Sequence, residues 1–191
     1  LSIRRQRQMC IRDRKIGAAS EITRDLDIIA NATKLILPGV GAFDNGMQNL
    51  KDFSLFDLLN KKVIEQKVPI LGICLGMQLM TKSSEEGILP GFGWIDAETI
   101  KFKFDAAGKK FPVPHMGWEL VNQKKESKLM QNMFTGPRFY FVHSYFVRSN
   151  QASDVLLTTN YGKDYVSGFE KNNIIGVNFT LKKAISLACA Y

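Results

Sequence analysis

The stretch Pro69-Ile-Leu-Gly-Ile-Cys-Leu-Gly-Met-Gln78 constrains this chain more than any other. A short apolar run enters Gly72-Ile73-Cys74-Leu75-Gly76, and a segment with Met77, Leu79 and Met80 at helical spacing leaves it. The pattern is G-x-nucleophile-x-G with cysteine at the centre. A strand-to-helix turn this sharp strains its central residue, and a side chain at either flanking glycine would clash. The thiol then sits at a helix N-terminus, which lowers its pKa and offers backbone N–H groups to an oxyanion. A lone cysteine is more commonly a buried structural residue. Here the strand before Cys74 and the Gln-bearing helix after it supply the context that an elbow needs.

The flanking chain alternates strand and helix. Lys34–Leu37 is a short apolar run that stops at Pro38-Gly39, and Met47–Gln66 carries apolar residues near helical spacing. Strand, helix, strand, helix implies parallel strands with right-handed crossovers. Beyond Gly87 the spacing changes. Trp94–Phe104, Arg138–Arg148, Val155–Thr159, Val166–Glu170 and Ile174–Phe179 read as shorter strands, with Asn172-Asn173 as a turn. The expected fold class is therefore α/β: a mostly parallel open sheet flanked by helices, with a β-rich second half. The loop Pro38-Gly39-Val40-Gly41 is either ordinary turn chemistry or a close backbone approach to a ligand, with Val40 or Gly41 donating to an oxyanion.

Composition narrows the function classes. With 191 residues, the chain suits one domain with a sizeable core. The net charge of +8 is half concentrated in residues 1–14, where five arginines face one aspartate. No aromatic residues interleave with those arginines as a stacking platform would require, so a nucleic-acid partner is not expected. No apolar run approaches the roughly 18–20 residues of a membrane span. Three cysteines (Cys10, Cys74 and Cys189) make no disulfide framework, which points to a reducing, cytoplasmic compartment. No His/Cys cluster has metal-ligand spacing, and no cofactor is expected.

Four strings resemble the class I, triad-type glutamine amidotransferases, and more narrowly the glutaminase subunits of imidazole glycerol phosphate synthase. They are Leu35-Ile-Leu-Pro-Gly-Val-Gly-Ala-Phe43, Gly72-Ile-Cys-Leu-Gly-Met-Gln78, Pro114-His-Met-Gly-Trp118 and Phe141-Val-His-Ser-Tyr145. The resemblance implies that Cys74 attacks the glutamine carboxamide and that Val40, Gly41 and Leu75 lie by the oxyanion. It implies that Gln78 and the Ser144-Tyr145 backbone hold the α-amino and α-carboxylate groups. It places Trp118 towards a cyclase partner that uses the released ammonia. The blander readings are a solvent-facing helix residue for Gln78 and core packing for Trp118. The function expected is hydrolysis of glutamine for synthesis of imidazole glycerol phosphate and an aminoimidazole carboxamide nucleotide. Two alternatives stay open: a paralogue feeding ammonia to amino-sugar synthesis for surface polysaccharides, and a catalytically dead docking subunit.

The second alternative exists because the pattern breaks at the end. The family continues from its last strand as Phe-His-Pro-Glu-Lys, whereas here Phe179 is followed by Thr180-Leu181-Lys182. Thr180 stands in place of the triad histidine and Lys182 in place of its glutamate; neither can serve as base or orienter near neutral pH. His115 and His143 belong to other family strings, and core or hydrogen-bonding roles are expected for both. The opening residues also lack the family's first strand. The expected division is therefore 1–14 as a non-native or disordered basic tail, 15–179 as the amidotransferase domain, and 180–191 as an aberrant end. Codons exist for residues 182–191 that, in another frame, read Lys-Ser-His-Lys-Leu-Gly-Leu-Arg-Leu.

Overall fold

The computed structural model describes residues 20–104 and 111–179. The basic tail, Thr180 and Lys182 lie outside the described residues.

The first half forms the expected alternation. Asp25 caps α1 (Leu26–Asn31) by accepting from the Asp27 and Ile28 N–H groups. Strand β1 (Leu35–Gly39) follows, then α2 (Phe43–Asp52) and α3 (Leu55–Asn60), which continues as a π-helical turn, Lys61–Glu65. The single helix suggested by the apolar spacing of Met47–Gln66 is thus broken. Ser54 adopts φ 56°, a left-handed conformation that no helix interior accommodates. Strand β2 (Ile70–Cys74) runs directly into α4 (Leu75–Leu79), the helix expected after the elbow.

The second half is built from strands: β3 (Ser83–Ser84), β4 (Ala97–Lys101), β5 (His115–Leu120), β6 (Asn122–Gln123), β7 (Arg138–His143), β8 (Tyr145–Ser149), β9 (Val155–Asn160), β10 (Asp164–Lys171) and β11 (Ile174–Val177). The main sheet has the order β1-β2-β11-β10-β8-β4-β3, with β9 also on β10 and β6 on β9. Its parallel part is β1-β2-β11 plus the short β3-β4 pair. The β10-β11 and β9-β10 hairpins, together with β8 against β4 and β10, make the rest antiparallel. The fold is α/β with a β-rich second half, and the sheet is mixed because tight connections such as Asn172-Asn173 reverse the chain, whereas parallel neighbours need crossovers.

The two faces of the sheet have different covers. Ile70 and Ile174 pack with Phe43, Met47, Leu59, Met77 and Met80 under the helices. Ile73 and Val177 pack with Phe139, Phe141, Phe146, Leu156 and Tyr165 on the opposite side. There a separate two-stranded ribbon, β5-β7, closes the aromatic-rich core. The alternation along β2 and β11 follows the two-residue period of strands.

Candidate functional site

Cys74 is the last residue of β2 and immediately precedes α4, with φ 56° and ψ −114°. Positive φ at a non-glycine residue is rare and persists only where the surroundings enforce it. The enforcement is visible at its two glycines. A Cβ at Gly76 would overlap the Leu37 carbonyl oxygen of β1, and one at Gly72 would come within 2.7 Å of the Met80 methyl and 2.9 Å of the Gly76 carbonyl. Helix α4 therefore lies directly on β1 and β2, which drives the chain through the turn at Cys74.

The register brings the oxyanion candidates alongside. Gly39 pairs with Cys74 across the parallel β1-β2 ladder, so Val40 and Gly41 leave β1 beside the elbow. Val40 is exposed, and Gly41 has φ 107°, a conformation that only glycine adopts easily. Leu75 opens α4 and is buried. Val40, Gly41 and Leu75 thus converge on one end of the parallel strands. A helix of five residues contributes little macrodipole.

The expected glutamine-holding residues are also brought together, through a residue that sequence reasoning did not assign. Gln78 is buried, not solvent-facing, and its Nε2 reaches Asn178 Oδ1 at 3.5 Å. Asn178 is itself fully buried and its Nδ2 donates to the Tyr145 carbonyl at 3.2 Å. Ser144 is half-buried between β7 and β8, and its carbonyl accepts from Phe102 N–H at 3.0 Å. The signal for Asn178 was present in the sequence as a lone polar side chain closing an apolar strand, Ile174-Ile-Gly-Val-Asn178.

The two histidines occupy the aromatic core. His143 Nδ1 lies 2.7 Å from the Tyr145 carbonyl, which can only accept, and 3.1 Å from Asn178 Nδ2; the shorter contact gives Nδ1 the proton. Its Nε2 is 3.4 Å from the Tyr165 hydroxyl, which is 3.2 Å from His115 Nδ1. Burial pushes the His143 pKa down to about 3, against the opposing pull of the Tyr145 carbonyl, and that of His115 to about 4. Burial also raises the Tyr165 phenol far above its ordinary value. Both imidazoles are neutral and hydrogen-bonded into the core, as the sequence reading expects.

A second unassigned group joins the loop after β1 to the segment after β3. Ala42 precedes α2 without a capping side chain, and the Glu86 carboxylate accepts from Phe43 N–H instead, at 2.9 Å. Asp44 reciprocates by accepting from Ile88 and Leu89 N–H, each at 3.0 Å. The missing cap residue before Phe43 was the available clue. Trp118 lies on the outward face of the ribbon, 40% exposed, edge-on to Tyr140. Met116, Leu120 and Val142 share that face, so simple core packing does not describe it. Among the described residues no group of His, Cys, Asp and Glu could hold a metal ion, and no helix is long and apolar enough to cross a membrane.

The chain is similar to known proteins in sequence and in fold. A family model described as glutamine amidotransferase class-I matches residues 11–179. The chain is 52% identical over 170 residues to imidazole glycerol phosphate synthase subunit HisH 2 of Methanococcus maripaludis, covering 89% of this chain and 83% of that one. It is 39% identical to the HisH 2 subunit of Pseudomonas aeruginosa, covering 90% and 83%. Among solved structures, a glutamine amidotransferase superposes with TM-score 0.68 at 15% identity, over 94% of this chain and 88% of that one. Another from Thermotoga maritima gives 0.60 at 17%, over 90% and 68%. At those identities the structures speak to the fold alone.

Proposed function

From the premise that this chain belongs to the class-I glutamine amidotransferases, we propose that it is the glutamine-hydrolysing subunit of an imidazole glycerol phosphate synthase. The observation that carries the reading is the Cys74 elbow, with its positive φ enforced by Gly72 and Gly76 beside the Gly39–Gly41 loop. The names of the relatives support the imidazole-forming enzyme over the amino-sugar paralogue.

In this reading the Cys74 thiolate attacks the carboxamide carbon of glutamine. The Val40, Gly41 and Leu75 amides receive the developing negative charge on oxygen, where preorganised donors have most effect. The C–N bond breaks as the nitrogen takes a proton from water, ammonia departs, and water hydrolyses the thioester to glutamate, regenerating the thiol. Gln78 and the Ser144-Tyr145 backbone hold the amino-acid end of the substrate. The apolar face around Trp118 docks a cyclase subunit that consumes the ammonia, in the cytoplasm. No organic cofactor or metal takes part in these steps.

The sequence places Thr180 and Lys182 where the proton-transfer pair belongs, and this favours one rival: a docking subunit without turnover. The test is ammonia release from glutamine by the chain as it stands and with Thr180→His plus Lys182→Glu. The double substitution is expected to raise the rate by at least ~10²-fold, the usual weight of general acid–base catalysis. Adding Cys74→Ala should abolish the gain. An unchanged rate in the double variant overturns the glutaminase reading.

A further inference from the structure

Among the described residues, Asn178 is a side chain that touches both parts of the site expected to hold the amino-acid end of glutamine. Its Nδ2 donates to the Tyr145 carbonyl on β8, and its Oδ1 faces Gln78 Nε2 on α4. It follows β11 directly, in a position with no solvent exposure. A carboxamide there needs both partners, because an unsatisfied buried amide is costly. The same carbonyl takes a second donor, the protonated Nδ1 of His143 at 2.7 Å. Two donors, one at the end of β7 and one just after β11, thus fix one peptide unit. The remaining ring nitrogen of His143 is held by Tyr165, which leaves the imidazole no freedom to turn away.

We infer that Asn178 is a positioning residue for glutamine binding. Its carboxamide clamps the Tyr145 carbonyl to Gln78, so that the segment from β8 and the elbow helix present their glutamine-facing groups in one fixed arrangement. His143 is the second jaw of the clamp. The inference rests on the proposed glutamine site and adds a residue that touches no substrate atom. Its consequence is specific. Loss of the Asn178 donor weakens recognition of a glutamine-shaped ligand, while the intrinsic reactivity of Cys74 is unaffected.

A glutamine-mimicking chloroketone reads this without turnover: the Cys74 thiolate displaces chloride and a C–S bond forms. Half-saturating concentration and limiting rate are measured for the full chain, for Asn178→Leu and for Asn178→Asp, with iodoacetamide as a probe that bears no amino-acid end. The unmodified chain should label at Cys74 with saturation, ahead of Cys10 and Cys189. Asn178→Leu should raise the half-saturating concentration roughly 5–10-fold, the weight of a lost hydrogen bond, with limiting rate and iodoacetamide rate unchanged. Asn178→Asp should behave like the leucine variant at pH 8. It should recover affinity as acidification returns a proton, and so a donor, to the buried carboxyl. Should the leucine variant fail to fold, that pH-dependent recovery decides alone. Saturable labelling with unchanged half-saturation in the variants overturns the clamp and leaves the site intact. Equal loss towards both electrophiles shows that Asn178 holds the elbow instead, which also overturns it. Absence of saturation in the unmodified chain overturns the proposed glutamine site itself.

Discussion

His143 shows how far a single residue's chemistry can be inferred from its surroundings. Inside the aromatic core its imidazole is neutral, and burial lowers its pKa to about 3; His115 falls to about 4. In the unfolded chain both titrate near 6.5. Below that pH the unfolded state binds protons that the folded state refuses, so stability is full above about 6.5 and falls as pH drops towards the folded values. For His143 the loss at pH 5 is about 2 kcal/mol. Chemical denaturation at pH 7.5, 6 and 5 should therefore show a falling midpoint, well above the pH at which ordinary carboxylates protonate. His143→Gln should start less stable and show a flatter profile. A midpoint constant from pH 7.5 to 5 would mean that water reaches the imidazoles. Glu119 lies 3.7 Å from His115 Nε2, too far for a good hydrogen bond, and does not rescue its charge.

At the scale of elements, the elbow is held by contact between α4 and the two strands beneath it. Gly76→Ala puts a methyl into the Leu37 carbonyl, a backbone atom that cannot rotate away. The expected cost is about 3 kcal/mol, the upper part of the overpacking range, which lowers the melting temperature by roughly 6–12 °C for a chain of this size. Gly117→Ala on the exposed ribbon, where only the Glu119 side chain stands within 4 Å, should leave the melt nearly unchanged. Equal melts for the two variants would show that α4 can lift from β1. This elbow was legible from sequence because it is local: an apolar strand, two glycines and a helix start within ten residues. The break at Ser54 was not, since a serine in left-handed conformation leaves no periodicity signal. Asn178, Gln78 and Tyr145 meet only because β11, α4 and β8 converge, and the Glu86 cap on Phe43 spans 43 residues. Contacts of that range belong to topology, which a strand pattern alone leaves open.

For the molecule as a whole, the question is why the ribbon β5-β7 presents an apolar outer face. Its inner face is consumed by the core through Phe139, Phe141 and His115. On the outer face Met116 pairs with Val142 and Trp118 with Tyr140, and Met116 is 59% exposed. A contiguous patch with an aromatic centre is what association surfaces look like, and tryptophan is prominent among residues whose truncation costs binding. Ammonia generated at Cys74 would be lost to solvent without a partner to receive it, so the proposed function itself calls for a docking face. The test uses the cyclase subunit of an imidazole glycerol phosphate synthase as the binding partner. Trp118→Ala should weaken the complex by at least about 2 kcal/mol, near 30-fold in Kd, if the tryptophan is a central anchor. Its effect on the melt of the isolated chain should stay within about 0.5 kcal/mol, as expected for a surface position. Exposed Lys163→Ala, on the turn between β9 and β10, serves as the surface control and should leave Kd within two-fold. A Trp118→Ala chain that binds the cyclase as tightly as the unmodified one would remove the β5-β7 face from the assembly and leave its apolar exposure to be explained by another partner.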